Sequence, residues 1–233
     1  MPENEFKMQA EACGKDSCEV KAAGFNTKPG EGYSYVCQTL DMGISYYRLV
    51  YARLTGEPFV VAETKNLLIR EMTTKDLPEL YAVYSTLEDC RYIEQLYDYD
   101  KELEFTKNYI KNMYGFFEYG LWLVFEKKSG ELIGRAGIEN REIDGVTCRE
   151  IGYLIRRDMQ HKGYAYEACQ AILEYASDEL GIQEMFAVID KTNEPSRKLA
   201  QKLGFELYAQ TDGGPDLYLS LIHISEPTRP ISI

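Results

Sequence analysis

The sequence predicts an α/β (α+β) fold, a mixed sheet with helices packed on its faces. Three observations carry this. Short β-favouring apolar runs alternate with segments of helical period. Two early runs, Leu121–Glu126 and Leu132–Ile138, are joined by Lys128-Ser-Gly130, the pattern of a hairpin. The clearest helical period follows directly on a strand, with Ala165, Ala168, Cys169, Ile172, Leu173, Ala176 and Leu180 repeating at three and four residues.

In chain order, Asn66 to Glu71 reads as the first strand of the main domain. Thr73-Thr-Lys-Asp76 offers a cap for the next helix, whose apolar face is Leu77, Leu80, Val83 and Tyr84. A second helix is expected over Lys101–Met113, through Leu103, Phe105, Tyr109 and Ile110. Between them lies an acid- and tyrosine-rich stretch from Arg91 to Tyr99. The hairpin comes next, then a strand from Cys148 to Ile155. Gly181 stops the long helix. Met185–Ile189 reads as a buried strand and Ser196–Leu203 as a helix. Phe205–Tyr208 and Asp216–Leu221 flank a turn at Asp212-Gly-Gly-Pro215.

The ends read differently. Residues 1–32 are polar without a sustained period, the text of a flexible leader. Residues 33–63 read as a helical linker: Tyr46, Leu49, Val50, Arg53 and Leu54 keep helical spacing, and Gly56-Glu-Pro58 closes that helix. The main domain is expected over 64–221. Residues 222–233 are expected to be a non-native tail. Leu219 to Arg229 resembles a translated sequencing adapter, which puts an interruption of the natural frame near Tyr218 and sets His223 aside.

A chain of 233 residues holds one full domain and an appendage. Its apolar runs are too short to span a bilayer and no N-terminal stretch has a signal-peptide pattern, so the expectation is a cytoplasmic protein without a membrane partner. The six cysteines (Cys13, Cys18, Cys37, Cys90, Cys148, Cys169) are scattered, which favours reduced thiols. Cys13 and Cys18 have no second pair and no nearby histidine, so no metal is expected. A net charge of −12 argues against nucleic acid as a partner and favours cationic ligands, amines among them. Solubility is the competing explanation for the charge.

The stretch that organises the chain is Tyr153-Leu-Ile-Arg-Arg-Asp-Met-Gln160-His-Lys-Gly163-Tyr-Ala165. A strand enters a short basic turn, which opens into the long helix. Glycine there permits backbone angles that other residues resist. The unbonded N–H groups and the positive dipole end of a helix N-terminus bind phosphate. Arg156, Arg157 and Lys162 add positive charge. An ordinary strand-to-helix turn is the competing reading.

Gln160-x-x-Gly163-x-Ala165 resembles the acetyl-CoA signature of the GNAT N-acetyltransferase family. Glu150-Ile-Gly-Tyr-Leu-Ile before it, and Asn193-Glu-Pro-Ser196 and Lys202-Leu-Gly-Phe205 after it, are similar too. The likeness covers about Thr64 to Leu221 and is nearest the ribosomal-protein-alanine N-acetyltransferase branch. It implies a mostly antiparallel sheet with helices on both faces, and acetyl-CoA as cosubstrate. The backbone from Gln160 through His161, Lys162, Gly163 and Tyr164 to Ala165 would hold the pyrophosphate. Leu154, Ile155 and Arg156 would pair with pantetheine as an added strand does, and one of their N–H groups would face the oxyanion. Core packing is the competing reading for Leu154 and Ile155.

The resemblance also implies that Asn193 bonds the pantetheine arm and that Ser196 donates to the departing thiolate. Ser196 as the N-cap of its helix is the competing reading. Where many relatives place a tyrosine acid, this chain has Ala200. Tyr92, Tyr97, Tyr99, Phe116, Phe117 and Tyr119 fall where the family builds its acceptor pocket, with simple packing as the alternative.

Glu150 is the expected general base, on the strand leading into the signature. The alternative is a structural glutamate paired with Arg149 or Arg135, and Glu139 is the reserve candidate. The reading that results is acetyl transfer to a primary amine, either a peptide N-terminus or a small molecule such as a polyamine, amino acid or aminoglycoside-like amine. A CoA-binding regulatory module with little turnover is the reading from another class. A monomer or homodimer is expected.

Overall fold

Among the described residues, eight strands hydrogen-bond into one sheet, in the order Val60–Glu63 (β1), Leu67–Arg70 (β2), Leu121–Glu126 (β3), Leu132–Ile143 (β4), Val146–Ile155 (β5), Glu184–Ile189 (β6), Asp216–Leu221 (β8) and Glu206–Ala209 (β7). The computed structural model describes residues 47–87, 91–143, 145–210 and 214–222, all within the unit Ser45–Ile233. Outside those residues lie the expected leader, the first part of the linker, the first half of the Asp212 turn, and the tail beyond residue 222 with His223. Cys13, Cys18, Cys37 and Cys90 lie outside as well. The described cysteines, Cys148 and Cys169, are free thiols.

The first helix, α1, covers residues 47–55. It ends at Gly56, whose φ of 71° is the left-handed conformation that glycine adopts readily past a helix end. The linker segment then contributes to the sheet. Val60–Glu63 forms β1 and pairs antiparallel with β2, Leu67–Arg70. Four residues are too few to show a strand's alternation in sequence. Arg53 fastens α1 to this end of the sheet. Its guanidinium donates to both carboxylate oxygens of buried Glu71, at 2.5 and 2.6 Å, and to the Tyr114 carbonyl at 2.8 Å.

A 3-10 turn, Thr74–Asp76, leads into α2, Leu77–Ser85, with Leu77, Leu80 and Val83 buried. Asp76 accepts from the Thr73 amide and hydroxyl and from the Arg70 guanidinium. The next helix, α3 (Tyr99–Tyr109), continues as a π-helical segment, Ile110–Phe117, past the expected end at Met113. The wider coil lets two tyrosines reach one residue: the Tyr109 hydroxyl accepts from the Leu121 amide, and the Tyr114 hydroxyl donates to the Leu121 carbonyl.

Strands β3 (Leu121–Glu126), β4 (Leu132–Ile143) and β5 (Val146–Ile155) form a continuous antiparallel ladder. β4 runs five residues past its expected end at Ile138, because polar Glu139 to Glu142 pair with Glu150 to Thr147. The long helix α4 (Tyr164–Asp178) crosses back to β6 (Glu184–Ile189), and α5 (Glu194–Lys202) leads to β7 (Glu206–Ala209) and β8 (Asp216–Leu221). The sheet is thus mixed and mostly antiparallel, β5–β6 being its parallel pair.

Helices cover both faces. Tyr84 of α2 meets Arg135 of β4 on one side. On the other, Trp122 of β3 stands edge-on to Tyr175 of α4, with ring centroids 5.6 Å apart. No described helix is long and apolar enough to cross a membrane.

Candidate active site

The parallel partnership of β5 and β6 is confined to one register pair, Glu150↔Phe186. Past Glu150 the two strands part. The Arg156 amide donates to the Ile133 carbonyl of β4 at 2.7 Å, so strand alternation turns the Ile155 and Tyr153 amides away from β4, into the opening. This redistributes the sequence expectation. Leu154 and Arg156 direct their N–H groups into the β4 ladder, leaving Ile155 and Tyr153 as the residues with backbone facing the fork. Tyr153 was missed because its aromatic side chain reads as core.

The turn above the fork is built as its sequence predicts. Gln160, His161, Lys162 and Gly163 are exposed. His161 and Gly163 have φ of 60° and 87°. Gly163 is the N-cap of α4, and a Cβ there would meet nothing within 4 Å. The first amide of α4 returned to the chain is that of Glu167, which donates to the Gly163 carbonyl. The N–H groups of Tyr164, Ala165 and Tyr166 precede it. An exposed turn with open space over its glycine and first-turn donors fits a phosphate group.

Side chains lock this turn to the sheet. Gln160 Nε2 donates to the Ile155 carbonyl at 2.9 Å. The Tyr164 hydroxyl donates to Glu126. Glu167 accepts from the Thr64 hydroxyl, the Asn66 amide and Asn66 Nδ2 at 2.6 to 2.9 Å. The Arg156 guanidinium, expected to add charge for phosphate, is engaged by Asp158 and Glu131 instead. Lys162 lies over Met159 Sδ at 3.0 Å.

Two carboxylates stand where the strands part. Glu150 is 8% exposed and is register partner to Glu139 of β4. It pairs with Arg141, which lies further along β4, rather than with Arg149 or Arg135. It also accepts from the Val188 backbone of β6, so it caps an amide that the parting strands would leave unbonded. Burial raises its carboxyl above the ordinary glutamate value, with Arg141 and Val188 pulling the other way. Glu139 is half-buried, and among the described residues no hydrogen bond or ion pair engages it. Burial raises its carboxyl too; Arg135 opposes this, while Glu150 and Glu94 add to it. Glycine at 152 lets it lie close over β5, since a Cβ there would stand 3.3 Å from Glu139 Oε2.

On the opposite face, Asn193 rather than Ser196 is the N-cap of α5. Its Oδ1 accepts the Ser196 amide at 3.3 Å, with Pro195 pre-set in the first turn. The Ser196 hydroxyl is thereby released from capping, and it accepts from the Tyr153 hydroxyl at 2.9 Å. Ala200 is buried. The aromatic residues divide. Tyr92 bonds Thr192 Oγ1 at 2.6 Å, tying the stretch before α3 to the entry of α5. Tyr119 donates to Asn140 at 2.6 Å, beside Glu139. Tyr97, Tyr99, Phe116 and Phe117 keep exposed ring surface.

A sheet forked at its parallel pair, with a glycine-started helix at the mouth, leaves a cleft lined by backbone groups. Residues 66–206 match the model of the acetyltransferase (GNAT) domain. The chain belongs to the GNAT acetyltransferase family and is an acetyl-CoA-dependent N-acetyltransferase. It is 33% identical to the YkkB protein of Bacillus subtilis over 134 residues, 58% of this chain and 72% of that one. It is 33% identical to the uncharacterized N-acetyltransferase YnaD of the same organism, over 60% of this chain and 79% of that one. Among solved structures, RimL, a ribosomal alpha-N-protein acetyltransferase, superposes with a TM-score of 0.60 at 15% identity, over 71% of this chain and 95% of that chain. An acetyltransferase from Agrobacterium tumefaciens superposes with a TM-score of 0.57 at 22% identity, over 68% and 92%.

Proposed function

We propose that the acceptor is the α-amino group of a protein N-terminus, and that Glu139 takes its proton. The observation that carries this is the division between the paired carboxylates at the fork. Glu150 is committed to Arg141 and to the Val188 backbone, whereas Glu139 lies unengaged over Gly152. On this reading the base is the neighbour of the sequence-predicted Glu150, which serves as the strut that holds β5 and β6 apart.

The amine class follows from proton affinity. A lysine-type ammonium has a reference pKa of about 10.4 and an α-ammonium about 7.7–8.0. The second needs little help to lose its proton, so a carboxylate acting through one water suffices. The acidic surroundings of Glu94, Glu139 and Glu150 attract a cation before it loses its proton.

In the same proposal the exposed backbone from Gln160 to Ala165 holds the pyrophosphate, with Gly163 allowing close approach. The Tyr153 and Ile155 amides pair with the pantetheine arm, Asn193 meets it through its free amide N–H, and Ser196 donates to the leaving thiolate.

Mass spectrometry of products after incubation with acetyl-CoA, peptides of varied N-terminal residue and a panel of small amines tests the acceptor. Acetylation at peptide α-amines is expected. Acetylation confined to polyamines, amino acids or aminoglycosides would select the small-molecule reading. Saturable CoA binding with no acetylated product would select a binding module.

A further inference from the structure

We propose that Tyr153 is a positioning residue: its hydroxyl, by donating to Ser196 Oγ, turns the serine's own hydrogen toward the sulfur of the coenzyme. The inference rests on the reading of Ser196 as donor to the leaving thiolate.

Ser196 lies in the first turn of α5. A serine hydroxyl there has one hydrogen, rotates freely, and usually bonds back to its own backbone. Here Asn193 supplies the cap. The Tyr153 O–H, donating at 2.9 Å, occupies a lone pair of Ser196 Oγ. The serine hydrogen therefore cannot point at Tyr153, and a hydroxyl that accepts one hydrogen bond donates a stronger one.

The donor is fixed. The Tyr153 ring packs against the hydrophobic core. Burial holds its hydroxyl protonated well above the ordinary tyrosine range. Its backbone amide faces the fork, so one residue both lines the opening and reaches across to the helix that follows β6. The buried Ala200 stands where many relatives place a tyrosine acid, and Tyr153 brings a phenol to the same helix from β5.

In the reaction the tetrahedral intermediate breaks its C–S bond and the electron pair stays on sulfur. The sulfur accepts a hydrogen bond from Ser196 Oγ–H. Tyr153 keeps its proton throughout, and the amine's proton leaves to Glu139.

The test uses bound CoA, so it needs no acceptor. The thiol of saturating CoA is titrated by its thiolate ultraviolet absorbance in wild type, Tyr153→Phe, Ser196→Ala and the double variant. Calorimetry confirms binding and a melting curve confirms the fold. The bound thiol should titrate below free CoA in wild type. Each single substitution should leave about tenfold less thiolate at a given pH, the double variant no less than either, and Ser196→Thr should retain the wild-type value. If Ser196→Ala shifts the titration and Tyr153→Phe does not, the inference is wrong and the serine reading stands. If Ser196→Ala has no effect, both fall. Additive effects in the double variant would mean that the two hydroxyls act separately.

Discussion

Glu139 and Glu150 face each other across the β4–β5 ladder at the residue where β5 makes its register pair with β6. Like charges directly opposite in a ladder are unfavourable. The sheet accommodates the pair by giving one of them a guanidinium and a backbone amide. On the proposed reading, that asymmetry separates a structural carboxylate from one available for proton transfer.

The proposed phosphate turn has its own test. Gly163, at φ 87°, sits under open space. Gly163→Glu forces a side chain into the left-handed region and places a negative charge where the pyrophosphate would lie. CoA affinity measured by calorimetry should fall at least tenfold, with the melting temperature lowered by only a few degrees, since a strained residue costs of order 1–3 kcal/mol. Unchanged affinity would put the phosphate elsewhere.

The N-terminal boundary of the domain is a stability prediction. Arg53→Ala leaves the Glu71 carboxylate buried without its cation. Breaking a buried pair from one side costs about 3–5 kcal/mol, here toward or below the lower figure because Arg53 is partly exposed. Removing residues 1–32 leaves that pair in place and should leave the melting temperature nearly unchanged. Equal losses from both changes would show that the fold depends on the segment before residue 33.

Acid affects the two kinds of carboxylate in opposite directions. Burial raises the folded-state values of Glu139 and Glu150. Their stabilising contribution is complete below the unfolded glutamate value of about 4.3 and is lost as pH rises through the raised values. Burial also pushes Asp76 up, but Arg70 and Thr73 outweigh it and its carboxyl is held low. Its contribution is present above about pH 3.9 and is lost as pH falls through the lowered value. Glu139→Gln should therefore melt at or above wild type at neutral pH, and the difference should shrink as pH falls toward about 4.3. A difference that grows on acidification would reverse the assignment.

Much of this was legible in the sequence. The period of α4, the Gly163 turn and the hairpin each rest on local rules, and local rules survive folding. What stayed hidden was decided by partners distant in the chain. β1 exists because β2 offers it an edge, and the polar end of β4 is a strand because β5 pairs with it. The π-helical segment goes with the bonds of Tyr109 and Tyr114 to Leu121, a residue outside the helix. The site follows the same pattern. The exposed turn at Gln160–Ala165 was readable as the start of a helix. Which amides face the fork, which arginine meets Glu150, and which hydroxyl meets Ser196 depend on register, and register is not written in any one strand.

Glu139 is proposed to accept the proton of an α-amine at the fork. This is tested most directly by the pH dependence of kcat for wild type, Glu139→Gln and Glu150→Gln, on a peptide with a free N-terminus and saturating acetyl-CoA. Glu139→Gln should lower kcat by about 10²–10⁴ near neutrality. The deficit should narrow at high pH, where the amine deprotonates unaided, and CoA affinity should stay unchanged. Glu150→Gln should act mainly through melting temperature and CoA affinity. A Glu139→Gln enzyme with wild-type kcat at every pH, beside a Glu150→Gln enzyme that has lost kcat, would contradict the account and return the base to Glu150.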